Sequence, residues 1–186
     1  LAFGELGFRN ITNNVRPIVV PADLEGIRLR VPGSAARILA FTEFGAQPIS
    51  MNMGELYLGL QQGTVDGQEN PLITIQNRSF FEVQNYMSLS RHVYSPVTLV
   101  MNAARFDSLT DDQRAAVLAA AQEAAQYTRN LGTQADATLL EALGQHLEIN
   151  EIDLAAFQAA AVPIWAAVGE MAGAEFAAKV VAAASN

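Results

Sequence analysis

In "PADLEGIRLRVPGS" the apolar residues Ile27, Leu29 and Val31 alternate with Arg28 and Arg30. A period of two predicts a strand with both arginines on one face, and Pro32 with Gly33 ends it. "SAARILAFTEFG" then reads as a helix that starts near Ser34 and stops at Gly45. "ISMNMGELYLGLQQG" repeats this logic: Asn52 and Glu55 have capping-box spacing, Leu56, Tyr57 and Leu60 form one stripe, and Gly63 closes the helix. A short strand is predicted from Thr64 into "VDGQENP". "PVTLVMN" reads as another strand, its continuous apolar run predicting burial on both faces.

After Thr110 the pattern changes. Of 32 alanines, 26 lie between positions 103 and 184, and alanine is the strongest intrinsic helix former. "TDDQ" is a capping box with acidic residues in the first turn, and no proline follows until Pro163. An unbroken helix to about Leu147 would reach roughly 55 Å. Two readings stay open: two helices broken near Gly132 or Gly144, or a single helix bridging two lobes. "LEINEI" reads as a short strand, and residues 154–184 as two or three alanine-rich helices.

Composition narrows the function classes. The 186 residues are 51% hydrophobic and 16% charged, as in globular proteins. The net charge of −8, from 11 basic and 19 acidic residues, argues against nucleic acid and against an anionic membrane surface. The longest uncharged C-terminal stretch, 154–169, carries Gln158 and Pro163 and is too short for a membrane span, so no membrane insertion is expected. Cysteine is absent, which removes disulfides and thiolate chemistry. The chain starts at Leu1 without a signal-peptide pattern and is expected to be mature, processed or truncated.

Candidate catalytic chemistry is sparse. His92 and His146 are the only histidines, and no G-x-S-x-G elbow occurs. His146, Glu148, Glu151 and Asp153 match no metal-ligand spacing and read as a solvated helix end. Glu55, Asp66 and Glu69 could act as acid and base, but Glu55 has a capping role and Asp66 beside Gly67 has the composition of a turn. The arginines are more informative: Arg9, Arg16, Arg28 and Arg30 fall within 22 residues of an otherwise acidic chain. Arg16 and Arg28 read as loop and strand-face charges. Arg30 stands at the carboxyl end of a strand and just ahead of a helix N-terminus, where ligands and anions gather. A guanidinium there suits a carboxylate held by two parallel bonds. Asn70 occupies the equivalent place after the next strand and can donate and accept.

Four segments, "GFRNITNN", "PADLEGIRLRVP", "GAQPISMNMGELYLGLQQGTVDGQENP" and "LTDDQRAAVLAAAQEAAQYTR", occur in this order. Together they resemble the substrate-binding proteins of tripartite ATP-independent periplasmic (TRAP) transporters, of the dicarboxylate-binding-protein type. The resemblance covers essentially the whole chain. It implies an α/β fold of the two-lobed periplasmic-binding-protein kind, here incomplete, with a mixed sheet flanked by helices and a helix-rich C-terminal half holding a long helix. It implies a small carboxylate as ligand, the membrane subunits of a TRAP transporter as partner, a periplasmic location, and neither catalysis, cofactor nor metal. Arg30 maps to the arginine that pairs with the substrate carboxylate, Arg9 to a second arginine, and Asn70 to a pocket-lining asparagine. Met53 falls where a lining aromatic stands in sialic-acid binders, a departure that implies a differently shaped cavity. Glu69, within the same polar run, is counted with the substrate-binding residues.

The resemblance further implies that residues 7–95 and 134–164 form the second ligand-binding lobe. Residues 96–133 and 165–186 would then belong to the first lobe, including the connecting long helix and the C-terminal helices. Family members carry a substantial segment ahead of "GFRN", so the chain is expected to be part of a longer protein with apolar surface left uncovered. Two other functions compete with solute capture for transport: a sensory ligand-binding module, and an enzyme on a similar α/β scaffold with Asp66 or Glu69 as base.

Overall fold

A computed structural model describes residues 1–184, apart from the side chains of residues 133, 134 and 184. The expected C-terminal segment therefore ends, at residues 185 and 186, outside the described residues. The chain divides into two compact units. The first joins Leu1–Asn10, Asn70–Glu82 and Arg91–Leu147, and the second joins Ile11–Glu69, Val83–Ser90 and the chain from Glu148 onward. These units differ in extent from the lobes expected above, which group 7–95 with 134–164.

The second unit is built on a mixed sheet. Its strands are β2 (Arg28–Val31), β3 (Gln47–Ser50), the first three residues of β4 (Gly67–Pro71), β5 (Tyr86–Leu89), β7 (Glu148–Glu151) and the last three residues of β1 (Ala2–Asn13). They lie in the order β3-β2-β4-β1-β5-β7. β2 runs parallel to β3 and β4, β5 runs antiparallel to β1, and β7 runs parallel to β5. Helices α1 (Ala35–Glu43) and α6 (Leu154–Ala172) pack together, and Phe41, Phe44, Phe157, Ala161 and Ile164 close over Ile11, Ile27, Leu29 and Val31. Alternation along β2 places Leu29 and Val31 in that core and Arg28 and Arg30 on the other face, as the period of two predicts.

"VDGQENP" departs from its expected form. The turn lies earlier, at Gly63, and β4 itself consists of Gly67 to Pro71, every residue buried. Gly67 is required there: a Cβ would stand 2.3 Å from the Thr12 carbonyl oxygen and 2.8 Å from Asn13 Cβ. Gly67→Ala is expected to cost about 1–3 kcal/mol of stability through overpacking, read as a lower urea midpoint at unchanged slope. A wild-type midpoint would show that β4 can shift away from β1.

The first unit pairs the leading half of β1 with β6 (Tyr94–Leu99) in an antiparallel ribbon, bulged between Glu5 and Gly7. Of β6 only Ser95 is buried, and Val97 is exposed. The expected double burial is corrected: in the described residues β6 pairs with β1 alone, and an apolar run reports burial only where other layers cover it.

Helix α5 (Asp111–Leu143) is one continuous helix of 33 residues, about 50 Å long. It starts on the reciprocal Thr110/Gln113 capping box, passes Gly132 without a break, and ends at Gly144. The two-helix reading is thereby overturned. One glycine among helix formers costs only about 1 kcal/mol, which the contacts of α5 outweigh. Thr128 Oγ1 accepts from the Glu5 amide at 3.2 Å, and Arg129 donates to the Phe3 carbonyl. The helix lies wholly within the first unit.

In the second unit, α6 starts on Asp153, whose carboxylate accepts from the Ala156 amide at 3.0 Å. By length and composition α6 is apolar enough to cross a membrane, contrary to the reading of 154–169 alone, because the helix extends to Ala172 with Glu170 its sole charge. Its Phe157, Ala161 and Ile164 nevertheless pack into the core. Helix α7 (Ala174–Ala184) follows, so residues 154–184 form two helices.

Candidate functional site

Two faces of one strand organise the polar residues. Arg30 and Gln68 are register partners on β2 and β4, so their side chains share a face, with Arg28 and Asp66 beside them. On that face Asp66 is captured by Arg28. The Arg28 amide and Nε donate to Asp66 Oδ2 at 2.8 and 3.0 Å, and Nη2 donates to Oδ1 at 2.5 Å. Gln68, wholly buried, donates Nε2 to Thr12 Oγ1 at 2.8 Å, and Thr12 donates in turn to Gln84 Oε1 at 2.9 Å. Glu69 points the other way, toward α1, where Arg37 Nη1 lies 3.1 and 2.9 Å from its two oxygens. Each polar side chain of the run is thus occupied by the fold, which explains how β4 can be both polar and buried.

Arg30 is 3% exposed. It donates Nε and Nη2 to the Met51 carbonyl at 2.8 and 2.6 Å, which fixes the plane of its guanidinium. Met51 precedes α2 (Met53–Gln61), whose first residue, Met53, is half-buried. The Asn52 side chain makes no capping bond, so the expected capping box is absent and only the Asn52 carbonyl accepts, from the Glu55 amide. Arg16 is structural: it donates to the carbonyls of Asp23 and Glu25.

Arg9 and Asn70 belong to the first unit and meet there. Arg9, buried beside β6, donates Nη2 to Asn70 Oδ1 at 3.0 Å and Nη1 to Ser95 Oγ at 3.5 Å. Of the expected site residues the structure brings these two into contact, while Arg30, Met53 and Glu69 belong to the second unit.

Sequence reasoning missed Arg37, Gln84 and Ser95. For Arg37 a signal existed: it stands in the first turn of α1, where the helix dipole disfavours a cation, so a carboxylate partner should have been sought. Arg28, taken for a strand-face charge, proves to be half of an ion pair with Asp66.

Hydrogen bonding to the Arg28 side chain lowers the Asp66 pKa, against the opposing effect of burial. A carboxyl depressed in the folded state contributes stability that is fully present above its unfolded value, about 3.9, and is lost as pH falls through the folded value. Wild type should therefore exceed Asp66→Asn in unfolding free energy near pH 7, with the gap narrowing below about pH 4. Urea unfolding across pH 3–7 reads this, and a gap that stays constant with pH would refute it.

The sequence profile described as bacterial extracellular solute-binding protein, family 7, matches residues 1–171. The chain belongs to this family. It is 44% identical to the 2,3-diketo-L-gulonate-binding periplasmic protein YiaO of Escherichia coli (strain K12) over 131 residues, 70% of this chain and 40% of that protein. Among solved structures of the family's kind, it superposes with a TM-score of 0.92 and 35% identity on the sugar acid binding protein DctPAm of Advenella mimigardefordensis in complex with galactonate. That match covers 98% of this chain and 60% of the other. A TRAP periplasmic solute binding protein of Polaromonas sp. JS666, bound to D-erythronate, matches with a TM-score of 0.91 and 34% identity over 96% of this chain and 60% of that one. The expected resemblance and the mixed α/β fold both hold. The chain spans about half the length of the curated relatives it matches. Those family 7 relatives are solute-binding proteins rather than enzymes.

Proposed function

We propose that this chain is part of a periplasmic solute-binding protein that captures a small organic acid for a TRAP-type transporter. The carrying observation is Arg30: a buried guanidinium in a chain of net charge −8, oriented by the Met51 carbonyl at the end of β2. A buried cation with a fixed plane favours a ligand carboxylate over a neutral solute. Arg9 and Asn70 would supply further polar contacts to the ligand, and Met53 would shape the space open to it. Polyhydroxy acids are the class to test first, since the relatives above hold galactonate and D-erythronate. The membrane subunits of the transporter would be the macromolecular partner.

The enzyme alternative loses ground on geometry. Asp66 and Glu69, the two candidate bases, are each ion-paired to an arginine, which stabilises the carboxylate and weakens it as a proton acceptor. Ligand recovered chemically unchanged after incubation with the protein at its natural length, with micromolar or tighter binding, is the expected result. A transformed ligand would overturn the reading.

Asn70→Ala should cost less than loss of a charge anchor, about 1–3 kcal/mol of ligand affinity, because it removes neutral hydrogen bonds. Isothermal titration with galactonate and D-erythronate tests this. A loss equal to that of Arg30→Ala would reverse the ranking.

A further inference from the structure

Within the second unit, the buried side chains of Thr12, Gln68 and Gln84 form a chain of hydrogen bonds whose direction is fixed by donor and acceptor chemistry. Gln84 Nε2 lies 2.9 Å from the Val83 carbonyl oxygen and 3.4 Å from that of Asp66. A carbonyl oxygen only accepts, so the amide nitrogen of Gln84 must face the backbone and its amide oxygen is left for Thr12. Thr12 Oγ1 stands 2.9 Å from that oxygen and gives it the single proton of the hydroxyl. Toward its other neighbour Thr12 can only accept. The Gln68 atom 2.8 Å from Thr12 Oγ1 is accordingly the amide nitrogen. A backbone anchor beside Gln84 thus sets the orientation of an amide two side chains away.

That last amide is the lateral neighbour of Arg30. In the strand order β2-β4-β1, Arg30 on β2 and Thr12 on β1 lie on opposite sides of Gln68 on β4. Arg30 and Gln68 are register partners on adjacent strands, about 4.8 Å apart, with side chains on one face. We infer that Thr12 and Gln84 are positioning residues for ligand capture: by drawing the Gln68 nitrogen to β1 they turn its oxygen to the side of Arg30. This inference rests on the functional reading above. Met51, whose carbonyl accepts from Arg30, follows β3 on the other flank of β2, so acceptors from both neighbouring strands hold the planar fork in one orientation. Reversing the amide would set an NH2 group against a guanidinium that has only donors to offer. The fork that a ligand carboxylate must match would then tilt.

The relay predicts a coupling that runs through Gln68. Thr12→Val keeps the shape of the side chain and removes the hydroxyl, so the Gln68 amide loses the bond that orients it. Binding of galactonate or D-erythronate, whichever the wild-type protein binds more tightly, should weaken by about fivefold. Gln84→Met should do the same, because the Thr12 proton, deprived of its acceptor, turns to the Gln68 oxygen and reverses the amide. In a Gln68→Met background no amide is left to orient, and either substitution should change affinity by less than about twofold. Thr12→Ser, which keeps the hydroxyl, should bind at least about threefold more tightly than Thr12→Val. The variants are titrated calorimetrically at one ionic strength, in the protein at its natural length, and urea unfolding records their stabilities separately. A purely structural role would lower the urea midpoint and leave the affinity of the folded protein at the wild-type value. Should Thr12→Val not fold, Gln84→Met completes the same cycle with Gln68→Met. Should Gln68→Met not fold, the gap between Thr12→Ser and Thr12→Val decides. Overturning results are wild-type affinity in Thr12→Val or Gln84→Met, a loss undiminished in the Gln68→Met background, or Thr12→Ser as weak as Thr12→Val. If wild type binds neither acid, the functional reading falls and this role with it. If wild type binds and the relay variants bind equally well, only the relay falls.

Discussion

Arg30→Ala is expected to weaken binding of the cognate acid by about 3–5 kcal/mol, because a ligand carboxylate that depends on a buried cation would be desolvated without one. The guanidinium is 3% exposed, so water cannot take over its role without opening the structure. Arg30→Lys should also bind poorly. An ammonium on a flexible stem cannot both hold the Met51 carbonyl and present two parallel donors, as the planar fork can. Calorimetric titration of wild type and both variants with galactonate and D-erythronate makes the comparison. Near-normal affinity in both variants would remove Arg30 from the site.

Arg37→Ala should destabilise the fold by about 3 kcal/mol, because Glu69 is a fully buried carboxylate and Arg37 supplies a cation to both of its oxygens. The arginine side chain is 19% exposed, which places the effect at the lower end of the range for buried pairs. Arg37→Ala with Glu69→Gln should recover much of the loss, since the neutral amide has no buried charge to stabilise. Urea unfolding of the two single variants and the double variant forms the cycle. Additive losses would show that the two side chains do not act as a pair.

The contrast between β2 and β4 shows what local pattern can and cannot reveal. In β2 the alternation of Ile27, Leu29 and Val31 with arginines assigns the faces directly, since one face must join the apolar core. In β4 the run Gln68-Glu69-Asn70 carries no hydrophobic pattern at all, and its burial depends on Thr12, Arg37 and Arg9, which lie 56, 32 and 61 residues away in the chain. No local window contains those partners. The stretch therefore read as the end of a short strand from Thr64 with turn composition at Asp66 and Gly67, while the structure has a wholly buried strand starting at Gly67. The apolar run of β6 erred the other way, because hydrophobicity records a tendency to be covered and other layers decide whether it is.

In the sequence itself, periodicity and capping chemistry determined the two faces of β2, the helices α1 and α2, and the capping box that starts α5. The family resemblance implied the class of fold and Arg9, and joined strand position in pointing to Arg30. Tertiary structure alone decided that α5 runs unbroken past Gly132, because its contacts with Glu5 and Phe3 outweigh the modest helix cost of one glycine. It alone decided which carboxylates are occupied. Asp66 belongs to Arg28 and Glu69 to Arg37 because strand pairing and helix packing set which charges meet, and the fully buried Glu69 carboxylate requires an opposite charge beside it.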